Sequence, residues 1–450
     1  MPTALIILAA GRGTRMKSDM PKVLHQIGGQ ALFAHAVEAG RALEADRTIL
    51  VVGHGAQAVT EAAHRFDPSL EIVIQTEQLG TGHAVKAARE TLADFDGDVV
   101  VLLGDTPFIS ADTLQKVSTA RNSADVVIVG FHAADPARYG RLVMNGERLE
   151  KIVEFKDATA SERKIDFCNS GITAASSKAM FALVEQLDDQ NASNELYLTD
   201  IVELANAAGL RATAVTCDEA ETLGINSRGD LARAEAIFQA QARAAAMDNG
   251  VTLVSPDTVF FAADTHIGRD VLIEPNVVFG PGTTVETGAT IRAFSHIEGA
   301  HVSSGAVVGP YARLRPGAEL SNDARIGNFV EIKNATIGEG AKVNHLSYIG
   351  DADVGDRSNI GAGSVTCNYD GVFKHRTEIG RDVFIGSDTM LVAPVRIGDG
   401  AMTATGSIIS DDVSAGDMAI ARARQVNKSG FATRFFKKLR EAKMAKQSKG

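Results

Sequence analysis

Only three cysteines occur, Cys168, Cys217 and Cys367, far apart and without a CxxC pair. Neither a disulfide framework nor a zinc site is therefore expected, and a reducing cytoplasm is the expected compartment. No apolar run approaches the ~20 residues of a membrane helix, so no integral membrane contact is expected. No basic leader precedes MPTALIILAAGRG, and glycines stand where a cleavage site would be needed, so this segment reads as a first strand and not a signal peptide. With 45% apolar and 22% charged residues, a mostly disordered or collagenous chain is excluded, and a soluble globular protein is expected.

The 450 residues are long enough for about three structural units at ~150 residues each. The formal charge of −11 is uneven: from Lys428 to Gly450 there are eight Lys or Arg against Glu441 alone, which leaves −18 on the rest. An acidic body argues against nucleic acid as a partner. The basic tail, with Phe431, Phe435, Phe436 and Leu439, reads as a solvated terminus, with contact to anions or a membrane surface as the alternative.

Up to about residue 225, β-rich runs alternate with helical stretches, the α/β pattern. The clearest strands are Ala4 to Ala9, Thr48 to Val52, Asp98 to Leu103 and Asp125 to Phe131. Amphipathic segments such as Leu32 to Leu43 and Ala84 to Leu92 are long enough for crossovers onto a parallel sheet, where ligands sit at strand carboxyl ends. From Ser227 to Met247 the spacing of Ser227 and Asp230, with Gly250 just past the end, predicts a capped helix of roughly 30 Å that connects two domains.

Beyond Gly250 a six-residue period sets in. At 24 successive repeat positions from Ile267 to Ile409, 22 are Ile, Val, Leu or Phe, the exceptions being Thr366 and Thr403. Four places further on, 21 of 24 are Ala, Ser, Thr or Val, the exceptions being His301, Asp353 and Asp370. Such a period predicts a parallel β-helix, with large apolar residues inside and small residues at corners. The frame slips by one residue at 297/302, 332/337 and 349/354. Between Thr366 and Ile379 the segment TCNYDGVFKHRTE must leave the coil as a loop, and loops on rigid scaffolds carry function.

Leu8 to Met16, LAAGRGTRM, is a strand entering a Gly-rich turn, with Pro21 and Lys22 shortly after. A dinucleotide fingerprint would need a third glycine where Met16 stands, so a nicotinamide site is not expected. A phosphate-cradling loop is. Gly11 and Gly13 permit close backbone approach, and Arg15 and Lys22 supply cations for a triphosphate. The strand Leu102-Leu103-Gly104-Asp105 ends in a carboxylate, where a hard Mg²⁺ bridging phosphate oxygens would be held.

LAAGRGTRM with PKVL resembles the signature of nucleotide-sugar pyrophosphorylases, and QTEQLGTGHA at 75 to 84 resembles the uridine-recognising segment of one branch of them. That branch is the family of bacterial bifunctional N-acetylglucosamine-1-phosphate uridyltransferases / glucosamine-1-phosphate N-acetyltransferases, and the similarity runs over nearly the whole chain. The resemblance implies an α/β Rossmann-like nucleotidyltransferase domain over 1–226, a helical linker over 227–250, a left-handed parallel β-helix acetyltransferase domain over 251–427 and a basic tail over 428–450. It implies that Leu8, Ala9, Ala10, Gly11 and Lys22, with Leu103, Gly104 and Asp105, line the site for UTP and its sugar product. Gln75, Gly80 and Thr81 would read uracil, Gly140, Glu154 and Asn169 would hold the acetamido sugar, and Asp105 with Asn226 would bind the metal. Some relatives carry an aromatic residue where this chain has Leu103, which alters packing on the sugar.

Acyl transfer to an amine needs a base near neutral pKa, and His345 in VNHLSY is the candidate. Arg315, Lys333 and Lys374 can pair with a phosphate, Tyr348 and Asn359 can hold sugar hydroxyls, and Glu331 can orient the imidazole. The family resemblance implies the same roles. It places acetyl-CoA along Ala362, Asn368, Tyr369, Ser387, Thr405 and Arg422, with Thr405 in place of the usual alanine, and builds that site between subunits of a homotrimer. The function implied is a cytoplasmic supply of UDP-N-acetylglucosamine for peptidoglycan and lipopolysaccharide. Acetyl-CoA acetylates glucosamine 1-phosphate, and UTP then uridylates the product with release of pyrophosphate. The alternatives are a single-activity pyrophosphorylase whose β-helix only oligomerises or binds a regulator, and a solenoid that is purely a structural or interaction module. A bare scaffold has no need of the His345, Tyr348, Arg315, Lys333 and Lys374 set.

Overall fold

The computed structural model describes residues 2–447. The last three residues of the basic tail, Ser448 to Gly450, lie outside the described residues. Two compact units are present. One holds the chain up to Asn249 with Pro256–Thr265 and Phe279–Gly282; the other holds Gly250–Ser255, His266–Val278 and the chain from Thr283.

The first unit is built on a sheet in the order Ala212–Thr216, Val126–His132, Phe167–Ser176, Asp98–Leu103, Thr3–Ala9, Arg47–Val52, Glu71–Ile74. Its central strands are runs of Val, Ile and Leu because both faces are covered, and Ala4 to Ile7, Ile49 to Val52 and Val99 to Leu102 are all buried. The expected parallel pattern holds for Thr3–Ala9, paired with Arg47–Val52 on one side and Asp98–Leu103 on the other. Phe167–Ser176 departs from it and runs antiparallel to both its neighbours. Residues 133–166 contain the hairpin Arg141–Asn145 and Arg148–Val153 and no α-helix, so the chain returns without the crossover that a parallel strand requires.

The helix Arg228–Asp248 begins as its sequence predicts: Ser227 accepts from the Asp230 amide and the Asp230 carboxylate accepts from Ser227 N, a closed capping box. It is docked onto the first unit, where sequence alone reads a connecting rod. Ala234, Leu231 and Phe238 pack with Met16, Ile27, Leu32 and Ile225. A side chain at Gly28 (φ 54°) would strike the Phe238 ring, which explains the glycine there. Gln239 is buried and bonds both ways to the Phe261 backbone, at 2.7 and 2.8 Å.

The second unit is a parallel β-helix. One face stacks ten short strands from Thr252–Leu253 to Met418–Ala419 in parallel register. Of the 24 apolar repeat positions, all but Ile267 in the first coil are buried. Thr366 and Thr403 join them because their hydroxyls are satisfied inside: Thr366 Oγ1 accepts from Gly350 N at 2.8 Å and donates to Gly350 O, and Thr403 Oγ1 accepts from Gly386 N at 3.0 Å. At the three frame slips the small corner residue moves one place earlier, to buried Ala300, Ala335 and Ala352, so His301, Thr336 and Asp353 turn outward. Of TCNYDGVFKHRTE, residues 368–376 leave the coil, while Thr366, Cys367, Thr377 and Glu378 stay in its strands. The Asp370 carboxylate ties the loop by accepting from the amides of Val372 and Phe373 at 2.8 and 2.7 Å.

Candidate functional site

In the first unit the central strands end together. Leu8 and Leu103 are register partners, and Gly104 N donates to Leu8 O at 2.9 Å. A cleft of about 660 Å³ opens beyond them, lined by Leu8, Ala9, Ala10, Gly11, Lys22, Gln75, Gly80, Thr81, Leu103 and Asp105. A second cavity of about 320 Å³, sharing Leu8, Thr81, Leu103 and Asp105, adds Gly140, Glu154, Asn169 and Asn226. Of the residues expected at the nucleotide and sugar, Gly104 and Arg15 are not in a cavity wall.

The cationic loop folds over one side. Gly13 (φ 58°) has Lys22 so close that a Cβ would lie 2.5 Å from its Cβ, so glycine there lets Lys22 in. At Gly11 a Cβ would meet nothing within 4 Å, so that glycine leaves open room in the cleft. Lys22 Nζ pairs with Asp105 and donates to Asn226 Oδ1 at 3.0 Å, and Arg15 donates to the same oxygen at 2.8 Å. Asn226 is held in turn: its amide donates to Asp230 Oδ2 at 3.1 Å, and Ile225 N donates to the Asp105 carbonyl at 3.0 Å. Asp105 and Asn226 thus present two hard oxygens around one cation, the donor type that suits Mg²⁺. No set of three His, Cys, Asp or Glu able to hold a metal occurs among the described residues. Phosphate oxygens and water would have to complete such a shell.

Gln75 is buried, and its Nε2 donates to Gly80 O at 3.2 Å. A carbonyl can only accept, so the amide orientation is fixed, and the second Nε2 hydrogen goes to His83 Nδ1 at 3.0 Å. Oε1 is left to face a ligand. In the sugar cavity, burial pushes the Glu154 carboxyl up, and Thr199 donates to it at 3.4 Å. A bulge between Asn169 and Thr173, with Gly171 at φ 89° against Leu103, turns Asn169 into that cavity.

In the β-helix, Asn328, His345, Ala362, Ser387 and Thr405 form one column along a corner. Backbone bonds join each to the next turn: Leu346 N to Asn328 O, Gly363 N to His345 O, Asp388 N to Ala362 O and Gly406 N to Ser387 O, at 3.1, 3.2, 2.7 and 2.8 Å. Three of the residues expected along acetyl-CoA therefore continue the column of the expected base. His345 is exposed, and its Nδ1 lies 2.8 Å from Asn328 Oδ1. Glu331 is not its partner here: it accepts from Arg315 at 2.8 Å and stacks below Tyr348.

The adjacent face gathers the cations. Lys374, on the excursion loop, crowds Lys333 and pulls its pKa below the ordinary lysine value. Asp351, mostly buried, accepts from Asn334 at 2.6 Å and from Asn368, which also donates to Tyr348 Oη at 3.4 Å. These bonds hold the Asp351 carboxyl below its usual range although burial opposes them. Asn359 lies a face away, in register with Lys342 and Phe384. Tyr369 is exposed and bridges antiparallel to Lys374 across the loop, and Arg422 is exposed. Asn328 and Asp351 were not legible in the sequence, because each acts through a neighbour set by coil register and not by spacing; His83 lies inside QTEQLGTGHA but meets Gln75 only through the fold of that segment.

Residues 5–197 match the MobA-like NTP transferase domain model, and residues 264–299 match the model of the bacterial transferase hexapeptide (six repeats). The chain is 65% identical over 446 residues to the bifunctional protein GlmU of Ruegeria sp. (strain TM1040), covering 99% of each chain. It is 62% identical over 450 residues to that of Roseobacter denitrificans, covering 100% of both. To that of Jannaschia sp. (strain CCS1) it is 61% identical over 445 residues, covering 99% of this chain and 98% of the relative.

Proposed function

The chain belongs to the bifunctional GlmU family, and from that premise we propose how its residues divide two reactions between two units. The protein is an N-acetylglucosamine-1-phosphate uridyltransferase and a glucosamine-1-phosphate N-acetyltransferase, with UTP and acetyl-CoA as substrates. Residues 1–226 carry uridylyl transfer, 227–250 link, and 251–427 carry acetyl transfer.

In the first site the free Oε1 of Gln75 accepts the uracil N3–H, and a cytosine, with a lone pair at N3, is repelled. Arg15 and Lys22 lie against the triphosphate. A sugar phosphate oxygen attacks the α-phosphorus in line, and the bond to the pyrophosphate oxygen breaks. Asp105 and Asn226 would hold Mg²⁺, which when bound neutralises charge on the phosphates. Glu154, Asn169 and Gly140 fix the acetamido sugar.

In the second site His345 Nδ1–H donates to Asn328, which leaves the Nε2 lone pair to take a proton from the amine. The amine nitrogen attacks the thioester carbonyl carbon, the C–S bond breaks, and the coenzyme thiolate leaves and is protonated. Arg315, Lys333 and Lys374 hold the sugar phosphate, with Glu331 positioning Arg315, and Tyr348 and Asn359 meet its hydroxyls. Acetyl-CoA runs along Ala362, Asn368, Tyr369, Ser387, Thr405 and Arg422. The single observation that carries this assignment is the column that puts His345, Ala362, Ser387 and Thr405 on one corner in successive coils.

We assign a homotrimer formed through the β-helix. Phe294, Tyr311, Phe329 and Leu346 form an exposed apolar ladder on it, with stacked rings 4.8 and 5.2 Å apart, and such a ladder supports burial against another copy. Free Cys168, Cys217 and Cys367 support a cytoplasmic home, and among the described residues no helix is long and apolar enough to cross a membrane. The test uses two assays on one preparation. Chelating divalent metal should abolish pyrophosphate release from UTP and N-acetylglucosamine 1-phosphate while thiol release from acetyl-CoA and glucosamine 1-phosphate continues. Equal loss of both would contradict the assignment, and a sedimentation mass other than three chains would contradict the trimer.

A further inference from the structure

The basic tail is strongly charged, and neither reaction as assigned above draws on it. Phe431–Gln447 forms an α-helix in which no residue is buried. Its amphipathic character is sharp over its first three turns. At 100° per residue, Phe431, Ala432, Phe435, Phe436, Leu439 and Ala442 fall within an arc of about 140°, and Thr433, Arg434, Lys437, Lys438, Arg440 and Glu441 fill the remainder. The rings gather on that arc: Phe431 stacks on Phe435 with centroids 5.8 Å apart, and Phe436 meets Phe435 edge-on at 5.7 Å. Phe431, Phe435, Phe436 and Leu439 each expose about half their surface, at 52%, 48%, 55% and 49%.

We propose that this helix docks the protein reversibly on an anionic lipid surface, with its phenylalanine arc in the acyl boundary and its cations at the headgroups. Charge complementarity carries the choice of occupant. The helix has six Lys or Arg and one acid, whereas the chain before Lys428 carries −18. An acidic body is repelled by an anionic surface, so only a segment of opposite sign can bring it there. The cations are spread along the length of the helix, and four of the six are lysines, point charges that need no matched fork of carboxylates. That spread suits a diffuse planar field better than a groove with discrete acids, and the adjoining apolar arc is the pattern of a helix lying in the interface. Lys443 and Lys446 enter the arc near the end, where long stems carry an ammonium group back to the headgroups. The preceding residues, 422–430, form no helix or strand and are exposed, nine residues that span up to ~30 Å when extended. The helix therefore has reach.

The experiment is co-sedimentation of the full-length protein with vesicles of phosphatidylcholine alone or with 30 mol % phosphatidylglycerol. Binding to the anionic vesicles, absent with phosphatidylcholine and lost in high salt, is the expected result. Lys437→Gln with Lys438→Gln should weaken partitioning about 30-fold, and Phe431→Ser with Phe435→Ser and Phe436→Ser should abolish it, with both enzymatic assays unchanged as the control for folding. No binding by the wild-type protein overturns the proposal. So does equal binding to both vesicles, or binding that survives the triple variant. If the triple variant instead changes the sedimentation mass, the face is an interface between copies and the lipid assignment fails.

Discussion

The two units make a site in opposite ways. In the first, a sheet supplies the ends of its strands, and the loops and turns that follow them add further contacts, each with its own local chemistry. In the second, one rigid period supplies a row of equivalent corner positions, and chemistry is written by changing single residues in that row. The proposed nucleotide site is consequently an assembly of distant sequence: Lys22, Asp105 and Asn226 meet although some 200 residues separate the first from the last. The proposed acetyl site is an alignment, in which Asn328, His345 and Ala362 are one coil apart. Removing a residue from an assembly should disable its neighbours together. Removing one from an alignment should leave the rest of the row in place.

The largest expected effect sharpens the first half of that contrast. Lys22→Ala should lower uridylyl transfer about 10³-fold, because it takes away a phosphate cation and leaves Asp105 unpaired. Acetyl transfer by the same preparation should stay within about 2-fold, and a comparable fall there would erase the distinction between the units.

The next effect probes the repeat itself. Ile349, fully buried in the coil of His345, should cost ~3 kcal/mol when cut to alanine. Because a solenoid transmits disorder only to its neighbours, acetyl transfer should fail on warming before uridylyl transfer does. Coincident loss of the two activities would mean that the units unfold as one.

A finer cut separates Asn328 from Glu331. Asn328→Leu should reduce the acetyl-transfer kcat about 30-fold with little change in KM, since it releases the imidazole from its orientation. Glu331→Gln should act mainly on KM for glucosamine 1-phosphate, through Arg315. The reverse pattern in steady-state kinetics would restore Glu331 as the partner of His345.

The smallest effect concerns stability in the first unit. Burial pushes Asp200 up to about 6, helped by Glu203 and Glu154. The unfolded chain releases this proton near 4 and the folded one near 6, so between those values the folded state binds the extra proton and raising pH favours unfolding. Asp200→Asn removes that penalty. It should stabilise by roughly 1 kcal/mol above pH 7, after allowance for solvent screening, and by nothing at pH 4. Thermal melts of both proteins at the two pH values measure it, and an equal gain at each would exclude titration of Asp200 as the cause.

What could be read from sequence follows the same divide. The hexapeptide period located the interior of the β-helix almost residue by residue, because a side chain every sixth place has only one way to be buried. Ser227 with Asp230 located a helix start for an equally local reason. The antiparallel strand Phe167–Ser176 escaped notice because its apolar residues resemble those of a parallel strand, and only pairing distinguishes them. Asn328 escaped because coil register sets its relation to His345, and no motif records it. The nucleotide cleft was visible through GxG, Arg15 and Lys22, but the bond from Lys22 to Asn226 needs the docked helix, which holds Asn226 through Asp230.

The central claim is that one polypeptide houses two chemically independent sites, and a double dissociation tests it most directly. Pyrophosphate release and thiol release are measured on Asp105→Ala and on His345→Ala, each with its fold verified by circular dichroism. Asp105→Ala should lose only the first activity, and His345→Ala should lower only the second, by 10² to 10⁴-fold, roughly the range for a general base. Loss of both activities in either folded variant would contradict the account.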